Sequence, residues 1–261
     1  MTTRTPDDDT HPVRPGCDPW SSPEGGPHGA LVLHGFTGSP VSMRPLAEVL
    51  ADAGFAVEMP RLPGHGTAPA DLGLTTWDDW LAEAEGALGA LARRCPDGRL
   101  IVAGLSMGGA LTLALAGRHR ELAGIVVINA PVQAPPELAE GLAAMLDGGV
   151  DIIDSIGGDI ADPAADELSY DQTPLRPLLT MLQAAAGVRE RLAGVRCPAL
   201  VITSRQDHVV APTDSDVIAD ELGGPVERLW LEKSFHVATL DYDKAELESA
   251  VLAFAARVVD G

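Results

Sequence analysis

RLIVAGLSMGGALTLALAG, residues 99–117, carries an extended apolar run into a helix and sets a serine at the junction. Ser106 stands between Gly104 and Gly108 in a G-x-S-x-G spacing, with Gly109 following. A bend tight enough to turn a strand directly into a helix leaves no room for neighbouring side chains, so glycine two before and two after the serine is a steric demand. That context, strand then serine then helix, is what a nucleophile elbow requires. The other reading of Ser106 is a turn serine that caps its own helix.

The same alternation of short apolar runs and helical periodicity extends along the chain from Ala30, the pattern of βαβ units and a mostly parallel sheet. Strands are expected at 30–34, 55–59, 99–104, 124–129, 199–204 and 226–231. Helices are expected near 41–53, 77–94, 107–118, 213–222 and 244–259. In 77–94 the residues Trp77, Trp80, Leu81, Ala84, Leu88 and Leu91 recur at helical spacing and mark a core stripe. The fold class is therefore α/β, with residues 29–261 as one domain behind an irregular arm over 1–28, rich in Pro, Gly and Asp. The first ten residues of that arm are expected to be loose. The connection from Asn129 to Ala199 is far longer than one crossover helix needs. It reads as a lid of several short helices inserted at about 131–196.

The formal charge of −20 comes from 38 acidic against 18 basic residues, and Lys233 and Lys244 are its only lysines. Such a field repels polyanions, which argues against nucleic acid and against adsorption on anionic lipid. There is no run of apolar residues long enough to span a bilayer and no apolar segment at the start suited to secretion, so the expectation is a cytoplasmic protein. Cys17, Cys95 and Cys197 are odd in number and widely spaced, against a disulfide framework or a zinc cluster. No metal or cofactor is implied.

A serine hydroxyl needs a base within hydrogen-bond reach, and imidazole suits that task near neutral pH. Of seven histidines, His11 and His28 belong to the arm and His119 to a surface-like helix end. His34 and His65 precede glycines in HGFTG and PGHG, where they are expected to fix loops by hydrogen bonds. His208 directly follows Asp207, a poor geometry for a triad base. His236, in the loop after the last strand, remains. The acid should precede it in the chain, which favours Asp207 in LVITSRQDHVV over the rivals Asp241 and Asp243. Two backbone N–H groups would stabilise an oxyanion: Met107, opening its helix, and Phe36 in the loop after the first core strand.

These stretches, together with PRLPGHGTAPADL, GIVVINAP and WLEKSFHVATLDYDK, closely resemble the α/β-hydrolase superfamily and, within it, bacterial monoacylglycerol lipases and small thermostable carboxylesterases. The likeness covers nearly the whole chain after the arm. It implies an α/β-hydrolase fold, mostly parallel central sheet flanked by helices, with a helical lid insertion. The family's nucleophile, acid and base fall on Ser106, Asp207 and His236, and its oxyanion donors on Phe36 and Met107. In DELSY, Glu167 matches the acidic residue that holds the glycerol hydroxyls, although alone it reads as a solvated charge. Ile156 in DSIGGDI matches an apolar gate over the acyl channel, where ordinary packing is the other reading. The implied activity is hydrolysis of monoacylglycerols to glycerol and fatty acid through an acyl-serine. The alternative is a generalist carboxylesterase on short-chain esters; further rivals are acyl transfer, metal-free perhydrolysis, or ligand binding without catalysis. The expected partner is a small lipid or ester, with at most transient membrane contact through the lid and no obligate protein partner.

Overall fold

The structure is a computed structural model, and it describes residues 3–23, 25–155 and 158–261. In chain order its elements are β1 (Trp20–Ser21), β2 (Gly29–Leu33), α1 (Arg44–Asp52), β3 (Ala56–Met59), α2 (Pro69–Leu72), α3 (Trp77–Arg94), β4 (Leu100–Leu105), α4 (Met107–Arg118) and β5 (Gly124–Ile128). There follow α5 (Pro136–Asp147), β6 (Ile152–Asp154), β7 (Gln172–Pro174), α6 (Leu175–Arg189), β8 (Ala199–Ser204), α7 (Pro212–Glu221), β9 (Val226–Leu231) and α8 (Lys244–Asp260).

The main sheet runs β1-β3-β2-β4-β5-β8-β9. All its pairs are parallel except β1 with β3. Its central strands read as unbroken apolar runs because both faces are covered. Successive residues of each strand feed opposite layers. Leu31, Leu33, Val102, Ile125, Val127 and Val201 pack with α3 and α4, whereas Ala30, Val32, Ile101, Ala103, Val126 and Ile202 pack with α1 and α8. The tryptophan-led stripe of α3 is buried along its whole length. Both edges resist pairing with another sheet: β1 is two residues long, and β9 exposes Glu227 and Arg228.

Several elements differ from the sequence expectation, among them the short helix α2, which was not expected. The helix expected near 41–53 divides into a 3-10 turn (Pro40–Met43) and α1, with Ser39 Oγ accepting from Val41 N at 3.3 Å. Proline at positions 40 and 45 has no N–H to donate, so helical bonding starts late. The antiparallel edge strand β1, inside the expected irregular arm, was too short to show alternation.

The arm is also tied down more firmly than its composition suggests. Arg4 N donates to Asp79 Oδ1 at 2.6 Å, and Thr10 N donates to Asp71 Oδ1 at 3.0 Å. The carboxylate of Asp9 pairs with Arg61, both side chains being buried, and accepts from Gly64 N at 3.0 Å. Arg61 also donates to the carbonyls of His65 and Pro6. A composition-based expectation of looseness misses this because the partners are far away in sequence.

The long connection between β5 and β8 contains two helices among the described residues, and they behave differently. Met181, Leu182 and Val188 of α6 join the core cluster of α4, so α6 belongs to the body of the molecule. In contrast α5 buries only Leu142 and leaves Leu138 and Met145 exposed. Between them β6 and β7 form a small antiparallel pair, Ile153 facing Thr173, where only short helices were expected. No helix among the described residues is long and apolar enough to cross a membrane.

Removing Asp9 strands a buried guanidinium, and breaking such a pair from one side costs ~3–5 kcal/mol. Asp9→Ala should therefore lower the unfolding free energy by that order in a urea titration followed by circular dichroism. A loss below ~1 kcal/mol would show that the arm contributes little.

Candidate active site

At the end of β4 the backbone of Ser106 takes φ 56° and ψ −121°, a left-handed conformation that a β-carbon makes costly. Ser106 N donates to Ile128 O at 2.8 Å, and Ser106 O accepts from Gly109 N at 2.9 Å, so the bend is bonded to β5 on one side and to α4 on the other. The flanking glycines are obligatory. A β-carbon at position 104 would lie 2.1 Å from Gly108 O, and one at position 108 would lie 2.3 Å from Leu33 O. The hydroxyl of Ser106 makes no capping bond to its helix. That removes the capping reading and leaves Oγ open to a cavity of about 650 Å³.

His236 lines the same cavity. Its Nδ1 is 2.8 Å from Asp207 Oδ2, with both side chains buried. The other Asp207 oxygen accepts from Val209 N and Val210 N, each at 2.8 Å, which locks the carboxylate toward the imidazole. Among the described residues no hydrogen bond engages Ser106 Oγ or His236 Nε2, and both residues line the one cavity. The loop HGFTG closes a further side: a β-carbon at Gly35 would sit 3.3 Å from Ser106 Cβ, and Phe36 and Thr37 line the cavity. Met107 is the first residue of α4, a position whose N–H lies ahead of the helix's own carbonyl acceptors.

The remaining histidines and acids have structural employment. His34 Nδ1 donates to Gly35 O at 2.9 Å while Nε2 accepts from Leu62 N at 3.1 Å, a pairing that requires the neutral ring. Burial accordingly pushes its pKa down to about 4. His65 is fixed by Pro63 O at 3.0 Å and packs edge-on against Trp80 and Phe36, again with burial disfavouring its charge. His119 lies between Glu85 and Glu121 rather than in open solvent. Asp241 accepts from Phe235 N and Ala161 N, and Asp243 from Lys233 N and Ser234 N, so both rivals to Asp207 serve as loop anchors.

Glu167 is not solvated. It is buried, lines the cavity with Ser106 and His236, and accepts from Gly158 N at 2.7 Å. Loss of solvent raises its pKa, and the amide bond and the nearby His236 only partly offset that. The following residues hold it in place: Tyr170 N donates to Thr37 O at 3.0 Å, and Tyr170 Oη donates to Gly64 O at 2.9 Å. Ile156 lies outside the described residues. Apolar side chains from α5 and α6, including Leu138, Leu142, Leu178 and Met181, line another part of the cavity.

Sequence reasoning missed Asn129. At the C-terminal end of β5 it takes φ 46°, donates from Nδ2 to His236 O at 2.8 Å, and receives Ser204 N on Oδ1 at 2.8 Å. A polar amide closing the buried run GIVVI was the available signal.

Residues 30–247 match the model of the alpha/beta hydrolase family, and the chain belongs to that family. It is 43% identical over 251 residues to a thermostable monoacylglycerol lipase of Bacillus sp. (strain H-257), covering 95% of this chain and 97% of that protein. A carboxylesterase of Bacillus subtilis (strain 168) is 27% identical over 235 residues, covering 88% of this chain and 93% of that one. A solved structure described with LipS and LipT, two metagenome-derived lipolytic enzymes, superposes with a TM-score of 0.89 at 43% identity, covering 94% of this chain and 100% of that one.

A carboxyl whose pKa is raised in the folded state destabilises that state as pH climbs from the unfolded value through the folded one. Glu167→Gln keeps an acceptor for Gly158 N without the charge. The melting temperature of this variant minus that of the wild type should therefore grow between pH 4 and pH 7. A constant difference across that range would mean that Glu167 ionises as freely folded as unfolded.

Proposed function

We propose that this protein hydrolyses monoacylglycerols to glycerol and free fatty acid, with Ser106 as nucleophile, His236 as base and Asp207 as the orienting acid. The observation that carries the reading is the 2.8 Å bond between His236 and Asp207 beside a cavity that also holds Ser106 and a buried carboxylic side chain. The names of the relatives, lipase and carboxylesterase, point to the same ester chemistry.

In this mechanism Ser106 Oγ attacks the ester carbonyl as its proton passes to His236 Nε2. Asp207 accepts the Nδ1–H bond and stabilises the imidazolium. The carbonyl oxygen gains negative charge opposite the N–H groups of Met107 and Phe36, where each donor contributes ~10²–10³ in rate. His236 returns the proton to the departing glycerol oxygen, then draws a proton from water as it attacks the acyl-serine. Fatty acid leaves and Ser106 is regenerated.

Substrate polarity fits the division of the cavity. Glu167 would bind glycerol hydroxyls, and the apolar side chains of α5 and α6 would take the acyl chain, with ~0.8 kcal/mol for each methylene removed from water. Within residues 131–196 the weakly packed α5 would serve as the lid, with α6 as its fixed base. Its exposed Leu138 and Met145 suit transient contact with a neutral lipid surface rather than an anionic one, given the net charge of −20.

Ser106→Ala should reduce hydrolysis of both monoacylglycerols and simple ethyl esters by at least ~10⁴-fold. Residual turnover near wild type would refute the nucleophile. Glu167→Gln should cut kcat/KM on a monoacylglycerol about tenfold, the loss expected for a hydrogen bond to a charged group, while sparing the ethyl ester of the same acid. Equal effects on both substrates would favour the generalist carboxylesterase.

A further inference from the structure

The mechanism above uses no side chain between residues 148 and 166, yet one of them is bonded to the base. Asp159 lies in the connection between β6 and β7 and lines the cavity. Its Oδ2 accepts from His236 N at 3.1 Å and from His208 N at 3.2 Å, and its own carbonyl accepts from Val237 N at 3.1 Å. Oδ1 lies 2.9 Å from His208 Nδ1, and the ring of His208 stacks edge-on against Phe235 at 4.5 Å. One carboxylate thus bridges the loop after β8, which bears Asp207, and the loop after β9, which bears His236. Nearer the strands the same loops also meet, where Gln206 Nε2 donates to Glu232 O at 2.6 Å and Arg205 Nε to Glu232 Oε1 at 2.7 Å, but those bonds do not reach the backbone N–H of His236.

From this geometry we infer that Asp159 is a positioning residue for the base: the insertion holds His236 at its working distance from Asp207 by receiving the backbone N–H of His236. The inference rests on the assignment of His236 as base. Asn129 restrains the same residue through its carbonyl, so both the backbone N–H and the backbone C=O of His236 are held. Gly158, adjacent to Asp159, donates its N–H to Glu167. The two neighbouring residues therefore anchor the imidazole and the buried carboxylic side chain to the same short segment. Movement of that segment shifts both together.

The test is steady-state kinetics of the full chain on a soluble p-nitrophenyl ester, with the melting temperature of each variant measured in parallel. Asp159→Ala removes the acceptor and should lower kcat by ~10-fold to 100-fold, the effect of a small misplacement of a reacting group, with KM changed less than about twofold. Asp159→Asn retains one carbonyl oxygen able to receive His236 N and should recover most of the loss. Asp159→Ser, polar but too short to reach, should match the alanine variant and reads the same loss if that variant does not fold. Wild-type kcat in Asp159→Ala or Asp159→Ser would overturn the inference, as would a rise in KM at constant kcat or an asparagine variant as slow as alanine. Ser106→Ala is run alongside. Activity surviving in it would defeat the assignment of the triad, whereas an inactive Ser106→Ala beside a fully active Asp159→Ala defeats only the role of Asp159.

Discussion

The close approach of three backbone segments at the end of β4 governs the geometry of this molecule. β4, β2 and the first turn of α4 meet so tightly that the carbonyls of Leu33 and Gly108 occupy the space where β-carbons would project from positions 108 and 104. That proximity forces Ser106 into a left-handed backbone conformation and presents its hydroxyl beyond the sheet. The strain is held by an extensive parallel core, whose strands are buried on both faces and whose helices pack on both layers. A weaker scaffold would relax the bend.

Around this point the molecule separates rigid from adaptable parts. The loop after β2, the PGHG loop and the arm are locked by neutral buried histidines, by the Asp9 pairing with Arg61 and by Tyr170. Those contacts support the side of the cavity that carries the oxyanion donors in the proposed mechanism. On the other side, α5 packs by a single buried leucine and exposes apolar side chains. A helix with so little buried area is the element able to move without disturbing the core. The insertion is thus anchored at α6 and weakly held at α5, a division suited to admitting an apolar chain.

Electrostatics reinforce the division. The surface is strongly acidic, while the cavity places one raised carboxyl, Glu167, near the imidazole of His236. A buried carboxyl can accept hydrogen bonds from hydroxyl groups, and its ionised form would favour a nearby imidazolium. The same burial that weakens the fold at neutral pH prepares the site for polar recognition.

Much of this was legible from residue order. Short apolar runs alternating with helical stripes gave the parallel sheet and its flanking helices, because a buried strand and an amphipathic helix each write their period locally. Ser106 was legible from two glycines that no other turn at that place requires, and the choice of His236 and Asp207 followed from chain order and from the unsuitability of the other histidines. Resemblance, rather than spacing, directed attention to Glu167. Tertiary structure alone decided that Glu167 is buried, that α6 is core while α5 is not, that the arm is fastened, and that Asn129 and Asp159 hold the carbonyl and the N–H of His236. Those facts depend on hydrogen bonds and ion pairs between residues separated by long stretches of chain, and such partners leave no periodic trace in either segment.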